Sequence, residues 1–175
     1  MSDLRKKALS AINKPATYGS DLKLEEYSRN VENWDESEIS DLPEDIQVGA
    51  LSCGVTPKLG ERAGTFFQID HSVVSCNTNK VFEDKVEIMS TKTALEKYDW
   101  FEDYWWKLVD VDTDKYTALA ELEWDHGYFI RVLEGAKVTL PLQSCMFMAN
   151  ESVDQNVHNV VILEPDSEVQ MITGC

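Results

Sequence analysis

HGYFIRVLEGAKVTLPL (His126–Leu142) and VHNVVILEPDSEVQMITGC (Val157–Cys175) are one pattern written twice. Leu133-Glu134 returns as Leu163-Glu164, thirty positions on, and Val138 returns as Val169, thirty-one positions on. In each copy an apolar run meets a short turn, Glu134-Gly135 or Pro165-Asp166-Ser167. It then resumes with alternation, as Lys137-Val138-Thr139-Leu140 and Glu168-Val169-Gln170-Met171. Period-two alternation marks strands with one buried face. Recurrence at about thirty residues marks stacked coils, because one coil cannot bury its apolar face alone. The pattern predicts strands separated by turns over residues 116–175, and a mainly β fold.

Upstream of the doubled segment, GTFFQIDHSVVS (64–75) is rich in β-branched and aromatic residues and predicts strand, and VFEDKVEIM (81–89) predicts another strand or an irregular extended segment. Ser90 or Thr91 then opens a helix in which Leu95, Tyr98, Phe101, Trp105 and Leu108 recur at helical spacing. This inserted aromatic helix, near 91–109, reads as a packing face. Further back, Ser2 is placed to cap a short helix carrying Leu4, Ala8, Ala11 and Ile12 on one side, with Pro15 as its stop. A helical turn follows near Leu24–Asn30, Trp34 and Leu42-Pro43 tack the segment onto something larger, and Gly49, Gly54, Pro57 and Gly60 mark a loop-rich passage. The chain therefore divides into an N-terminal helical and irregular arm, 1–60, and a β unit, 61–175.

The 175 residues carry a formal net charge of −16, which repels phosphate backbones and argues against nucleic acid as a partner. A hydrophobic content of 43% with five Trp argues for a packed chain rather than a disordered acidic one. No stretch has the length of a membrane span, and the N-terminus lacks the apolar core of a secretory signal. Cytoplasmic residence with reduced thiols is the expectation. The cysteines, 53, 76, 145 and 175, include no CxxC pair. No Walker-type glycine loop is present, so any ATP is bound by a partner.

Three stretches taken together, RAGTFFQIDHSVVS (62–75), HGYFIRVLEGAKVTLPLQ (126–143) and NVVILEPDSEVQMITGC (159–175), resemble the SufB/SufD family of iron–sulfur cluster assembly scaffolds. KPATYGSDLKLEEY (14–27) is similar to that family's leading helical region, and YWWKLV (104–109) is similar to its archaeal, single-scaffold branch. The resemblance implies a right-handed parallel β-helix preceded by a small helical region, of which this chain is the N-terminal part. It implies assembly of a transient iron–sulfur cluster from iron and sulfane sulfur, completed by segments beyond this chain. It also implies a SufC-type ABC ATPase partner, docked through such a segment, and a second SufB/SufD-like subunit or a homodimer.

Thiolates accept sulfur and bind iron, so the cysteines are the first candidates. Cys175 matches the family's glycine-cysteine position, where the resemblance implies a sulfur-receiving thiol. Val169, Met171, Thr173 and Cys175 share one parity of an extended strand, so Cys175 points inward if Val169 and Met171 fill the coil. Cys145 stands thirty residues before Cys175, but a one-residue slip between the copies sends it to the other face, and it reads as structural. Cys53 lies in a loop and Cys76 ends a strand, neither with a second ligand at zinc-like spacing. His71 reads as satisfied by a hydrogen bond, while His126 and His158 open the two copies. No metal site is legible in their spacing. Two further readings remain open: a small cupin-like or β-barrel metal-binding module, and an inactive structural fragment.

Overall fold

A computed structural model describes residues 3–174. In chain order the regular elements are α1 (Asp3–Ala11), α2 (Glu44–Ser52), β1 (Gly64–Ile69), β2 (Ser72–Thr78), β3 (Val86–Ser90), α3 (Thr91–Lys97), α4 (Lys115–Leu122), β4 (Tyr128–Val132), β5 (Leu142–Phe147), β6 (Val160–Leu163) and β7 (Met171–Gly174). The strands form two sheets, ordered β2-β1-β5-β7 and β3-β4-β6.

The doubled segment supplies one strand of each copy to each sheet. β4 and β6 pair in parallel, with Phe129 opposite Val160 and Val132 opposite Leu163, a step of thirty-one residues. β5 and β7 also pair in parallel, with Leu142 opposite Met171 and Cys145 opposite Gly174, a step of twenty-nine. Between them Lys137 bridges Glu168. The first copy thus carries two extra residues, around Pro141, before its second strand begins. A two-residue change preserves the face on which side chains lie. The Leu133/Leu163 likeness in the sequence is one residue out of the observed register: Leu163 pairs with Val132, and Leu133 turns into the core beyond the strand end. β1 pairs in parallel with β5, Gly64 opposite Leu142, and the two outer strands are antiparallel additions, β2 on β1 and β3 on β4.

Between the sheets lies the main core: Phe66, Val86, Ile88, Tyr128, Ile130, Val132, Val138 and Leu142, with Val169 and Met171 packed against it. Alternation sends neighbouring residues outward. On the β3-β4-β6 sheet, Phe129, Val160 and Ile162 meet Phe101 and the surrounding aromatic residues. On the other sheet, Phe67, Ile69 and Cys145 are covered by Ile39, Leu42, Ile46, Ala50 and Val55 from the N-terminal segment. Burying such side chains contributes about 1.5–3 kcal/mol each. Along β6 the inward positions are open: Val161 and Leu163 are 38% and 52% exposed, whereas Ile130 and Val132, their partners on β4, are 1% and 0% exposed.

Five elements depart from the sequence reading: 64–75 is not one strand but the hairpin of β1 and β2 turning at Asp70-His71, of 81–89 only Val86–Met89 is strand because Lys80–Phe82 form a 3₁₀ turn, and three more follow. The aromatic helix near 91–109 ends at Lys97, because Tyr98 turns extended and Asp99–Asp103 form a tighter 3₁₀ turn. The aromatic rings gain more from docking than from helical continuity: Phe101 lies edge-on to Phe129 with centroids 4.7 Å apart. Residues 115–122, expected as strand, are helical because Asp114 and Thr117 form a capping box. The resulting α4 packs Ala118 against Ala8 and Ala11 of α1. The first part of the passage expected to be loop, through Gly49 to Ser52, is instead the second half of α2. Ser2, the expected cap of α1, lies outside the described residues.

Candidate functional site

The site is built where the C-terminal end of β7 meets the C-terminal end of α2. Helix α2 stops for a local reason. Cys53 is its last half-helical residue, and Gly54 follows with φ +84°, a conformation that glycine adopts without a side-chain penalty. Gly54 N–H donates to Leu51 O at 3.0 Å and Val55 N–H to Ala50 O at 3.0 Å, the Schellman pattern that closes helix C-termini. Val55 is buried beside Ala50 in the outer cluster, which anchors the turn on the sheet.

This turn rests on β7. A side chain built at Gly54 would just touch Ile172 Cγ2, at 3.9 Å. Gly174 is tighter: a Cβ there would overlap the Cys53 carbonyl oxygen and lie 3.1 Å from Cys53 Cβ. Cys145 opposes Gly174 across the β5–β7 ladder and is fully buried. Cys53 is half-buried, with Sγ 3.9 Å from Ser52 Oγ. Two cysteines ninety-two positions apart in the chain therefore meet at one glycine. Cys175, the sulfur-acceptor candidate, lies outside the described residues. The residues that lead to it keep the expected parity: Met171 opposes Leu142 and Thr173 opposes Ser144, while Met171 packs into the core between the sheets.

The other candidates are dispersed. Cys76 sits on β2 opposite Phe66, and burial, followed by the nearby Glu36 charge, pushes its thiol up to about 12. Such a group is a poor nucleophile and a poor ligand. His71 places Nε2 2.7 Å from Asp154 O, which satisfies it as expected. His126 occupies a turn at φ +87°, its pKa lowered by burial and then by Lys92. His158 is held between Trp105 and Trp106, 4.1 Å from each ring, and burial lowers its pKa to about 4. Among the described residues no group of three or more His, Cys, Asp or Glu is arranged to hold a metal ion. Nor, among them, is any helix long and apolar enough to cross a membrane.

A buried polar network, not foreseen from the sequence, ties the N-terminal segment to the turn before β4 and the segment before β6. Arg29 forms a two-pronged ion pair with Asp125, which is 5% exposed, and reaches Asp154 Oδ1 at 3.1 Å. Asp125 Oδ2 also accepts from Asn156 N–H at 2.8 Å. Gln68, fully buried, donates to Asp125 O at 2.8 Å and accepts from Gly127 N–H at 3.2 Å. Opposite charges that hold one another's hydrogen bonds can remain buried. The network sets the turn from which β4 starts.

The fold and site define a two-sheet protein whose strands return to their sheets in parallel, with cysteines gathered at the end of the last strand. No family model matches the chain. The chain is 45% identical to an iron–sulfur cluster assembly SufBD family protein of Methanothermobacter thermautotrophicus, over all of this chain and 43% of that protein. It is 42% identical to an iron–sulfur cluster assembly SufBD family protein of Archaeoglobus fulgidus, over 70% of this chain and 32% of that one. A more distant relative is the iron–sulfur cluster assembly protein SufB of Bacillus subtilis, 30% identical over 84% of this chain and 31% of that protein. This chain belongs to the SufBD family. It spans less than half the length of these relatives.

Proposed function

We propose that this chain takes part in iron–sulfur cluster assembly, as the leading portion of a scaffold on which the cluster is built and from which it leaves. The cluster is the product handled rather than a resident group. On this reading β4 to β7 are the first coils of a right-handed parallel β-helix, residues 61–175 form that unit, and residues 1–60 are an arm laid along it. Cys175 receives sulfane sulfur. ATP enters through a SufC-type ATPase bound by a segment outside this chain, and a second SufB/SufD-like subunit or a second copy completes the assembly in the cytoplasm.

The observation that carries the reading is the parallel return of β7 onto β5, with Met171 packed into the core between the sheets and Gly174, the last described residue, opposite the buried Cys145. The names of the relatives support a part in iron–sulfur cluster assembly. The metal-module reading has less behind it, because His71, His126 and His158 each serve a separate part of the structure.

The test is anaerobic reconstitution of the full-length protein with ferrous iron and a sulfane sulfur source, followed by visible absorption and iron and sulfide analysis. Cys175→Ser is expected to abolish most cluster loading. Undiminished loading in that variant removes the sulfur-acceptor role. Loading that fails in the unaltered protein under the same conditions removes the scaffold reading.

A further inference from the structure

We infer that the groove between α4 and the loop of residues 104–112 is a docking site for a basic amphipathic helix of a partner protein. Trp106 and Leu108 of the loop form one wall, Thr117 and Ala120 of α4 form another, and His158 and Val160 line the side towards β6. The groove has a volume of about 400 Å³. Leu108 is 97% exposed, and Tyr104 and Val109, which line the same groove, are exposed beside it. One exposed leucine is ordinary. A contiguous apolar patch on a chain of net charge −16 marks an interaction surface.

The loop is fastened on both sides of Leu108. Before it, Trp105 and Trp106 hold His158 between their rings, and their indole N–H groups donate to Glu121 of α4 at 3.2 and 2.8 Å. After it, Val111 is buried with Ala8, Ala11 and Ala118. Leu108 is therefore held outward by a braced loop, which lowers the ordering cost of binding. The shape of the groove selects a helix. α4 packs one face on α1 through Ala118 and presents Thr117 and Ala120, three residues apart, to the groove. Residues at that spacing share a helix face, and their small side chains let a second helix approach as α1 does on the other side. Apolar residues along one side of the incoming helix fill the groove beside Leu108.

Charge then selects the kind of helix. Residues 102–110 carry Glu102, Asp103 and Asp110, all exposed, against a single cation, Lys107. No lysine or arginine among the described residues pairs with these three acids. Lysines or arginines flanking the apolar residues of an incoming helix meet them, and the net charge of the chain steers such a partner in. The same charges repel an acidic helix and an anionic bilayer. The groove shares no residue with the cysteine cluster at the end of β7, so the inference stands apart from the sulfur chemistry.

The test uses the full-length protein and a fluorescent synthetic peptide of about 18 residues, with leucines at helical i, i+3, i+4 and i+7 spacing and lysines elsewhere. A peptide of the same composition in scrambled order is the control, and binding is read by fluorescence anisotropy. The amphipathic peptide is expected to bind, and Leu108→Asp to weaken it by roughly tenfold or more. A triple variant, Glu102→Lys with Asp103→Lys and Asp110→Lys, is expected to weaken it by about as much and to flatten its salt dependence. All four altered positions are exposed, so circular dichroism should match the unaltered protein. Hydrogen exchange at Leu108 and Val109 should slow when the peptide is bound. Equal binding of the scrambled peptide, or unaltered affinity in either variant, overturns the inference. Protection of those two amides in the free protein also overturns it, because a later segment of the chain then fills the groove. So does a dimer that Leu108→Asp dissociates, which assigns the groove to a second copy.

Discussion

Gly174→Ala tests the contact on which the site depends. The added methyl overlaps the Cys53 carbonyl oxygen and sits 3.1 Å from Cys53 Cβ and 3.2 Å from its carbonyl carbon. These are backbone and near-backbone atoms inside a turn closed by hydrogen bonds from Cys53, Gly54 and Val55 N–H groups, so no flexible side chain can yield. Forcing a methyl into such a place costs about 1–3 kcal/mol. Gly174 does not have positive φ, so the substitution also stiffens the unfolded chain and returns about 0.4–1 kcal/mol. These ranges leave a net loss centred on about 1.3 kcal/mol. At about 2–4 °C per kcal/mol for a chain of this size, Tm should fall by roughly 3–5 °C. Gly60→Ala is the control: no atom lies within 4 Å of a Cβ there and its φ is ordinary, so Tm should hold or rise slightly. Hydrogen exchange localises the effect. The amides of Gly54 and Val55 should lose protection in Gly174→Ala while those of β4 keep theirs. Equal Tm for Gly174→Ala and the unaltered protein, with unchanged exchange at Val55, would refute the docking of α2 on β7.

Other perturbations read other parts of the molecule. Arg29→Met leaves Asp125, 5% exposed, facing Asp154 without their shared cation; urea denaturation should show a loss of about 3 kcal/mol, the low end for a broken buried pair because Arg29 is itself one-third exposed, and adding Asp125→Asn should recover part of it. His158, with its pKa lowered from 6.5 to about 4 by burial, stays neutral in the folded protein while the unfolded chain takes up a proton. Stability should therefore fall as pH drops from 6.5 towards 4 and level off below; allowing for solvent screening the effect is of order 1–2 kcal/mol, and the difference between the unaltered protein and His158→Gln isolates it. Cys76, its thiol pushed up to about 12, should alkylate with iodoacetamide at pH 8 far more slowly than Cys53 in the native protein, as peptide mapping can show.

What was legible in the sequence follows the range of the forces involved. Period-two alternation is local, so the strands of the doubled segment and their turns could be read directly, down to Gly135 and Asp166 taking positive φ at the predicted turns. The face of Cys145 was also legible, because parity depends only on the register between two similar stretches. Register itself was less so: the best residue match, Leu133 with Leu163, is one position from the true pairing, since likeness of side chains and hydrogen-bond partnership are different criteria. The aromatic helix failed where a non-local partner, Phe129, outbid local helical spacing. α4 failed for the opposite reason, since the Asp114/Thr117 capping box was present in the sequence and was outweighed by the β character around it. The neighbourhood of Cys53 lies between these cases. Ser52-Cys53-Gly54-Val55, after a helix that buries Ile46 and Ala50, carries the mark of a helix C-terminus, but nothing in those residues names the strand on which the turn lands. That strand is set by Gly174, one hundred and twenty positions beyond Gly54, whose missing side chain is what lets the turn approach. That glycine therefore has a steric reason of its own: it is where the turn after α2 closes onto β7.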